Sequence, residues 1–184
     1  MPSVSNPKRA TVYNQTVNVF WSLLCLGPLG YFCYIHLELK WLWIFLSFSL
    51  PVILLPVSFY DAIQWSRRTG DYERIGIRFL RRFTQDGDLV SKRLRRRDPG
   101  YRTFDKPAKL GQLLKQTYVF ERVHLAMLLF FLYTAIYALD RGLTAWALGL
   151  TAANILFNIY PNLLQQYNRL RLRQIANRGT RMLF

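Results

Sequence analysis

Apolar residues gather in four runs, at 17–35, 41–60, 123–139 and 143–164, and none of the four contains Lys, Arg, Asp or Glu. Each approaches the roughly 20 residues with which an α-helix crosses a bilayer. Aromatic residues with a polar tip mark the ends: Tyr13, Trp21, Trp41, Trp43, Tyr60, Trp65, Tyr118 and Tyr167, the placement such side chains take at a membrane interface. Buried helices of a soluble bundle keep a polar face, and these barely have one. The pattern predicts an all-α integral membrane protein with about four transmembrane helices. Pro28 lies in the first run and Pro51 and Pro56 in the second, so kinked or re-entrant segments are expected there. The first run is long, lacks a small-residue cleavage site and is soon followed by another apolar run, unlike a cleaved signal peptide.

Charge sets an orientation. The 184 residues carry 25 Lys+Arg against 10 Asp+Glu, a formal net charge of +15. The connections 36–40 and 140–142 each hold one base and one acid. Of the other bases, two precede the first run, 16 lie between Asp61 and Arg122, and five follow Gln165. The positive-inside rule places all three basic parts in the cytoplasm. The expected layout is one membrane domain in the cell's inner membrane. It comprises a cytoplasmic N-terminus at 1–16, a helical hairpin at 17–60, a basic cytoplasmic segment at 61–122, a second hairpin at 123–164 and a basic tail at 165–184.

Within the central segment, Tyr72, Ile75, Phe79 and Phe83 fall within about 80° on a helical wheel, with Arg74, Arg78, Arg81 and Arg82 opposite. This predicts an amphipathic helix lying in the headgroup layer and ending at the Asp86-Gly87 turn. Lys92, Arg93, Arg95, Arg96 and Arg97 follow. Beside membrane segments, such a cluster points to anionic lipid headgroups or to a donor's phosphates rather than to nucleic acid. The composition is 52% hydrophobic and 16% aromatic with a mean hydropathy of only +0.07. Both figures hold together because apolar and basic residues are segregated, which excludes an ordinary soluble enzyme and a disordered basic tail. Two cysteines, Cys25 and Cys33, inside an apolar run make neither a disulfide framework nor a zinc site.

Several catalytic motifs are absent: there is no GxSxG, no phosphate-binding loop and no HExxH. Neither His36 nor His124 has an acid five residues on. One constellation remains. Glu121 and His124 stand three apart at the entrance of the third run and share a face with Thr117 and Tyr118. In the fourth run and beyond it, Asn154, Asn158, Asn162, Gln165 and Arg169 fall within about 80° of one another. Polar residues at such depth face a protein interior or a cavity, either as interhelical glue or as a site. Folding the chain back near residue 141 levels His124 with Asn158, Glu121 with Asn162 and Tyr118 with Gln165. An imidazole beside a carboxylate has the make-up of a general base near neutral pH.

At these residues the chain resembles the glycosyl-4,4′-diaponeurosporenoate acyltransferases of carotenoid biosynthesis. The family's ExxH element reads Glu121-Arg-Val-His124 here, and its tail motif is similar to Gln165-Gln-Tyr-Asn-Arg-Leu-Arg-Leu172, which follows Asn158. Tyr72 to Gly87 is similar to the family's basic-aromatic stretch. Gln166 stands where the family usually has Arg, Leu170 where it has Pro, and Leu125 where Trp often follows the His. The resemblance implies transfer of a fatty acyl chain to a sugar hydroxyl of a glycosylated carotenoid acid. His124 would be the general base and Glu121 its orienting partner. Asn158, Asn162, Gln165, Tyr167, Asn168, Arg169 and Arg171 would bind substrate, and Arg93, Arg95, Arg96 and Arg97 the donor phosphates or anionic lipid. No metal or cofactor is called for beyond an acyl donor such as acyl coenzyme A. The expected partners are the bilayer, its anionic lipids and a lipid-like glycosylated acceptor. A non-catalytic lipid-binding or assembly protein keeping the family fold is the alternative, supported by the altered tail motif.

Overall fold

A computed structural model describes residues 7–80 and 107–181. Among them all regular structure is helical, with no strand. Helix α1, Pro7–His36, runs unbroken through Pro28. The second apolar run behaves differently. It forms α2, Leu39–Ser49, then a 3₁₀ turn, Leu50–Leu54, opened by Pro51, and then the short α3, Val57–Ala62, behind Pro56. A proline supplies no N–H to the preceding turn, and the Val52 carbonyl, four residues before Pro56, is met by the Leu55 N–H at 3.2 Å and by a side chain. The Tyr60 hydroxyl donates to the Val52 carbonyl, and Arg122 Nη2 donates to the Leu55 carbonyl at 3.0 Å.

Among the described residues three helices, where four were expected, are long and apolar enough to cross a membrane. The qualifying stretches are Val19–His36, Leu110–Asp140 and Thr144–Asn177, while Leu39–Leu54 is shorter. The last two belong to one hairpin. Helix α6, Pro107–Asp140, ends with Gly142 at φ +72°. The Leu143 N–H reaches the Ala138 carbonyl at 2.8 Å and the Gly142 N–H the Leu139 carbonyl at 3.0 Å. That is the bond pair of a glycine-capped helix end, and it sets the turn where the sequence placed it. Helix α7, Thr144–Asn154, passes through a π turn, Ile155–Ile159, into α8, Tyr160–Arg181.

The apolar core joins α1, α2, α6 and α7 through Leu29, Phe32, Phe45, Phe131, Ala138 and Leu150. At one end the connections meet. The Tyr137 hydroxyl donates to the His36 carbonyl at 3.2 Å, and Arg141 pairs with Glu38 at 2.7 Å. At the other end, residues 60–77 lie against α6 and α8. The expected continuous amphipathic helix is broken there. It becomes α4, Thr69–Arg74, and α5, Ile77–Leu80, parted by Gly76 at φ +83°, a backbone state natural to glycine. Tyr72 of the expected apolar face, with Ile77, is buried against Leu164 and Tyr167 of α8, whereas Phe79 of the same face is 58% exposed. Phe83, Arg81, Arg82 and the Asp86-Gly87 turn lie outside the described residues.

Candidate functional site

The polar residues of α6 and α8 meet at the end lined by residues 60–77, in two layers. The outer layer is ionic. Glu121 is 1% exposed and Arg169 is 0% exposed, and Arg169 Nη1 donates to Glu121 Oε2. Two charges this far from water need further partners around them. Arg169 Nη2 reaches the Tyr60 carbonyl at 3.3 Å and Gln64 Oε1 at 3.2 Å. Its Nε makes no hydrogen bond but lies within ion-pair range of Asp61 Oδ1 at 3.5 Å, and its guanidinium stacks on the Tyr118 ring with 4.4 Å to the centroid. Asp61 also accepts from the Tyr118 hydroxyl at 2.8 Å and from Arg173 Nη2 at 3.1 Å. Two carboxylates and two guanidinium groups thus share one network, with no net charge.

Gln166 completes this layer by using both ends of its amide. Its Nε2 donates to Glu121 Oε1 at 2.8 Å. Its Oε1 accepts from the Trp65 N–H at 3.1 Å and from the Tyr72 hydroxyl at 3.0 Å. An arginine at this position has no acceptor to offer Trp65 and Tyr72, so the departure from the resembled motif fits the neighbours present here. Burial pushes the Tyr72 phenol above its ordinary value, so it stays a neutral donor through the physiological range.

The inner layer is uncharged. The His124 ring is in polar contact with the Asn158 side chain and the Phe157 backbone. Asn158 Nδ2 donates to Asn154 Oδ1 at 2.9 Å, and Asn154 Nδ2 donates to the Leu128 carbonyl at 3.0 Å. Asn162 is buried, and its Oδ1 has no hydrogen-bond partner.

The structure therefore brings His124 to Asn158, as the level count expected, and parts it from Glu121. Both Glu121 oxygens are engaged by Arg169 and Gln166, and the nearest match across the hairpin is Gln166 rather than Asn162. Arg169 faces inward and is not free to hold a phosphate. Gln165 and Asn168 are half-buried. Tyr167 is buried and donates from its hydroxyl to Glu73 at 2.8 Å, with the Arg171 guanidinium 5.7 Å from its ring centroid. Arg93, Arg95, Arg96 and Arg97 lie outside the described residues. Sequence reasoning missed Asp61, Gln64, Tyr72 and Arg173, and read Gln166 only as a departure. The one available signal was Asp61, an acid closing an apolar run in a chain poor in acids. No group of His, Cys, Asp and Glu among the described residues is arranged to hold a metal ion.

Residues 56–178 match a protein family described as CrtO, glycosyl-4,4′-diaponeurosporenoate acyltransferase. The chain belongs to the CrtO family. No curated protein and no solved structure matches it. The CrtO match opens just before α3 and closes near the end of α8, so both polar layers fall inside it, while α1 and α2 fall outside. Membership supports acyl transfer as the reaction class.

Proposed function

We propose that this CrtO-family chain is a membrane-embedded O-acyltransferase that esterifies a hydroxyl of a glycosylated carotenoid or a similar glycolipid. His124 carries the reading. Around the two layers, Glu121 and Asp61 are committed to arginines, whereas the imidazole meets only neutral partners and keeps proton-accepting chemistry. In the proposed step His124 takes the proton of the acceptor hydroxyl. The hydroxyl oxygen bonds to the carbonyl carbon of an acyl thioester, the carbon–sulfur bond breaks, and the departing sulfur receives the proton. The unpaired Asn162 Oδ1 would accept from the incoming hydroxyl before transfer. Membranes carrying the chain, supplied with acyl coenzyme A and a glycosylated carotenoid acid, should form an ester whose mass is the acceptor plus one acyl group less one hydrogen. Absence of that ester, with inserted protein, would overturn the reading.

We place both polar layers at the cytoplasmic face. The basic residues of the adjoining 61–122 segment support this. The segment between residues 38 and 61 begins beside Arg141 and ends beside Tyr118. Those residues are 23 positions apart on α6 and its turn, or about 34 Å of helix. The broken second run thus returns the chain across the bilayer and gives a fourth crossing. Reporter fusions after residues 90 and 184 should read cytoplasmic, and one at Asp140 should read the opposite side. A fusion at residue 90 that reads outside would contradict the placement.

A further inference from the structure

Arg122 stands apart from the network built around its neighbour Glu121. Its Nη2 donates to the Leu55 carbonyl at 3.0 Å, and its guanidinium lies over the Tyr60 ring, 5.6 Å from the centroid. Its Nε is buried and makes no hydrogen bond. Among the described residues no carboxylate comes within ion-pair range of it. The acids at this end are engaged elsewhere. Glu121 goes to Arg169 and Gln166, Asp61 to Arg169 and Arg173, Asp71 to Arg74 and Glu73 to the Tyr167 hydroxyl. One positive charge is left over, half-buried against a backbone carbonyl and an aromatic ring.

Its surroundings are those of a lipid-facing surface. Val119 and Val123 flank it on α6, and Leu54 and Val57 flank Leu55; all four are exposed, Leu54 to 86%. Leu55 itself is extended, at φ −62° and ψ 145°, between the 3₁₀ turn and α3, so its carbonyl is open to the guanidinium. A cation ringed by apolar side chains, one turn from Tyr118, reaches for the headgroup layer. The oxygens of a phosphate match its planar fork of donors.

A lipid phosphodiester and the phosphates of an acyl donor share that chemistry, and position favours the lipid. On α6, Arg122 and His124 point about 160° apart, so a donor with its thioester at His124 would have to carry its phosphates round the helix. A phospholipid needs no such detour: in the placement above, Val123 and Leu54 lie on the deeper side of Arg122, where its acyl chains would run. We propose that Arg122, with the Leu55–Tyr60 segment, binds the phosphate of one anionic phospholipid of the cytoplasmic leaflet. The site goes beyond acyl transfer and does not depend on it; it rests on the membrane placement.

Photolabelling of the full chain tests it. The chain is placed in phosphatidylcholine vesicles with a trace of phosphatidylglycerol or phosphatidylcholine bearing a photoreactive acyl chain, and labelled peptides are mapped. Phosphatidylglycerol should label the peptides holding 54–57 and 119–123 about fivefold more than phosphatidylcholine, the worth of one basic residue at an anionic surface. Helix α7 around Leu148, 68% exposed, should take both lipids equally; labelling by neither there would overturn the membrane placement and the site with it. Arg122→Gln keeps a donor for the Leu55 carbonyl but carries no charge. It should bring phosphatidylglycerol labelling of those peptides down to the phosphatidylcholine level and leave α7 labelling as in the parent, and excess acyl coenzyme A should leave the parental pattern in place. Equal labelling by the two lipids in the parent, which needs no variant, would overturn the site. So would a preference that survives Arg122→Gln, which would make Arg122 only a cap for the Leu55 carbonyl. Loss of the preference to acyl coenzyme A would overturn the lipid and assign Arg122 to the donor.

Discussion

Arg169→Met should cost the protein about 3–5 kcal/mol of stability, because it strands the Glu121 carboxylate without a cation in a place where water does not reach. Arg169 is fully buried and joins four elements: α6 through Glu121, α3 through the Tyr60 carbonyl and Asp61, the following loop through Gln64, and its own helix α8. Losing it removes the most deeply buried of the ties between the 60–77 segment and the hairpin. Thermal unfolding in detergent should show a lower midpoint and less folded protein in the membrane. The double variant Glu121→Leu/Arg169→Met removes both charges at once. Replacing a buried pair with apolar groups of similar volume is often neutral or stabilising, so most of the lost midpoint should return. A double variant as unstable as the single one would mean that the pair does more than neutralise itself.

How much of this was open to reading from the residues differs between the two layers. Helix period and the absence of charge marked α1 and the α6–α8 hairpin, and the turn fell at Gly142 as the count from residue 141 required. Because the hairpin register followed, so did the meeting of His124 with Asn158. The second apolar run was harder. Its composition matches a span, yet Pro51 and Pro56 cut it into α2, a 3₁₀ turn and α3, and the sequence does not say which carbonyls will be met by Tyr60 and Arg122. Glu121 was assigned to His124 because three residues separate them. Burial decides otherwise: a fully desolvated carboxylate is held by a permanent cation far better than by a neutral imidazole. Arg169 lies 48 positions away, and only the tertiary fold brings it there.

His124→Gln should lower acyl transfer by about 10²- to 10⁴-fold, the usual worth of a general base, while the protein inserts and unfolds as the parent does. Glutamine keeps a hydrogen-bonding group and much of the volume but cannot take up a proton at any working pH. The substitution leaves the Glu121–Arg169 pair untouched, since His124 is not one of its partners. Glu121→Gln should behave in the opposite way, losing stability first and activity only as folded protein is lost. These contrasting outcomes separate a chemical layer from a supporting one. The most direct measurement is the turnover of His124→Gln in membranes where its thermal midpoint equals the parental value. The account predicts a fall of at least about 10²-fold, and near-parental turnover would contradict it.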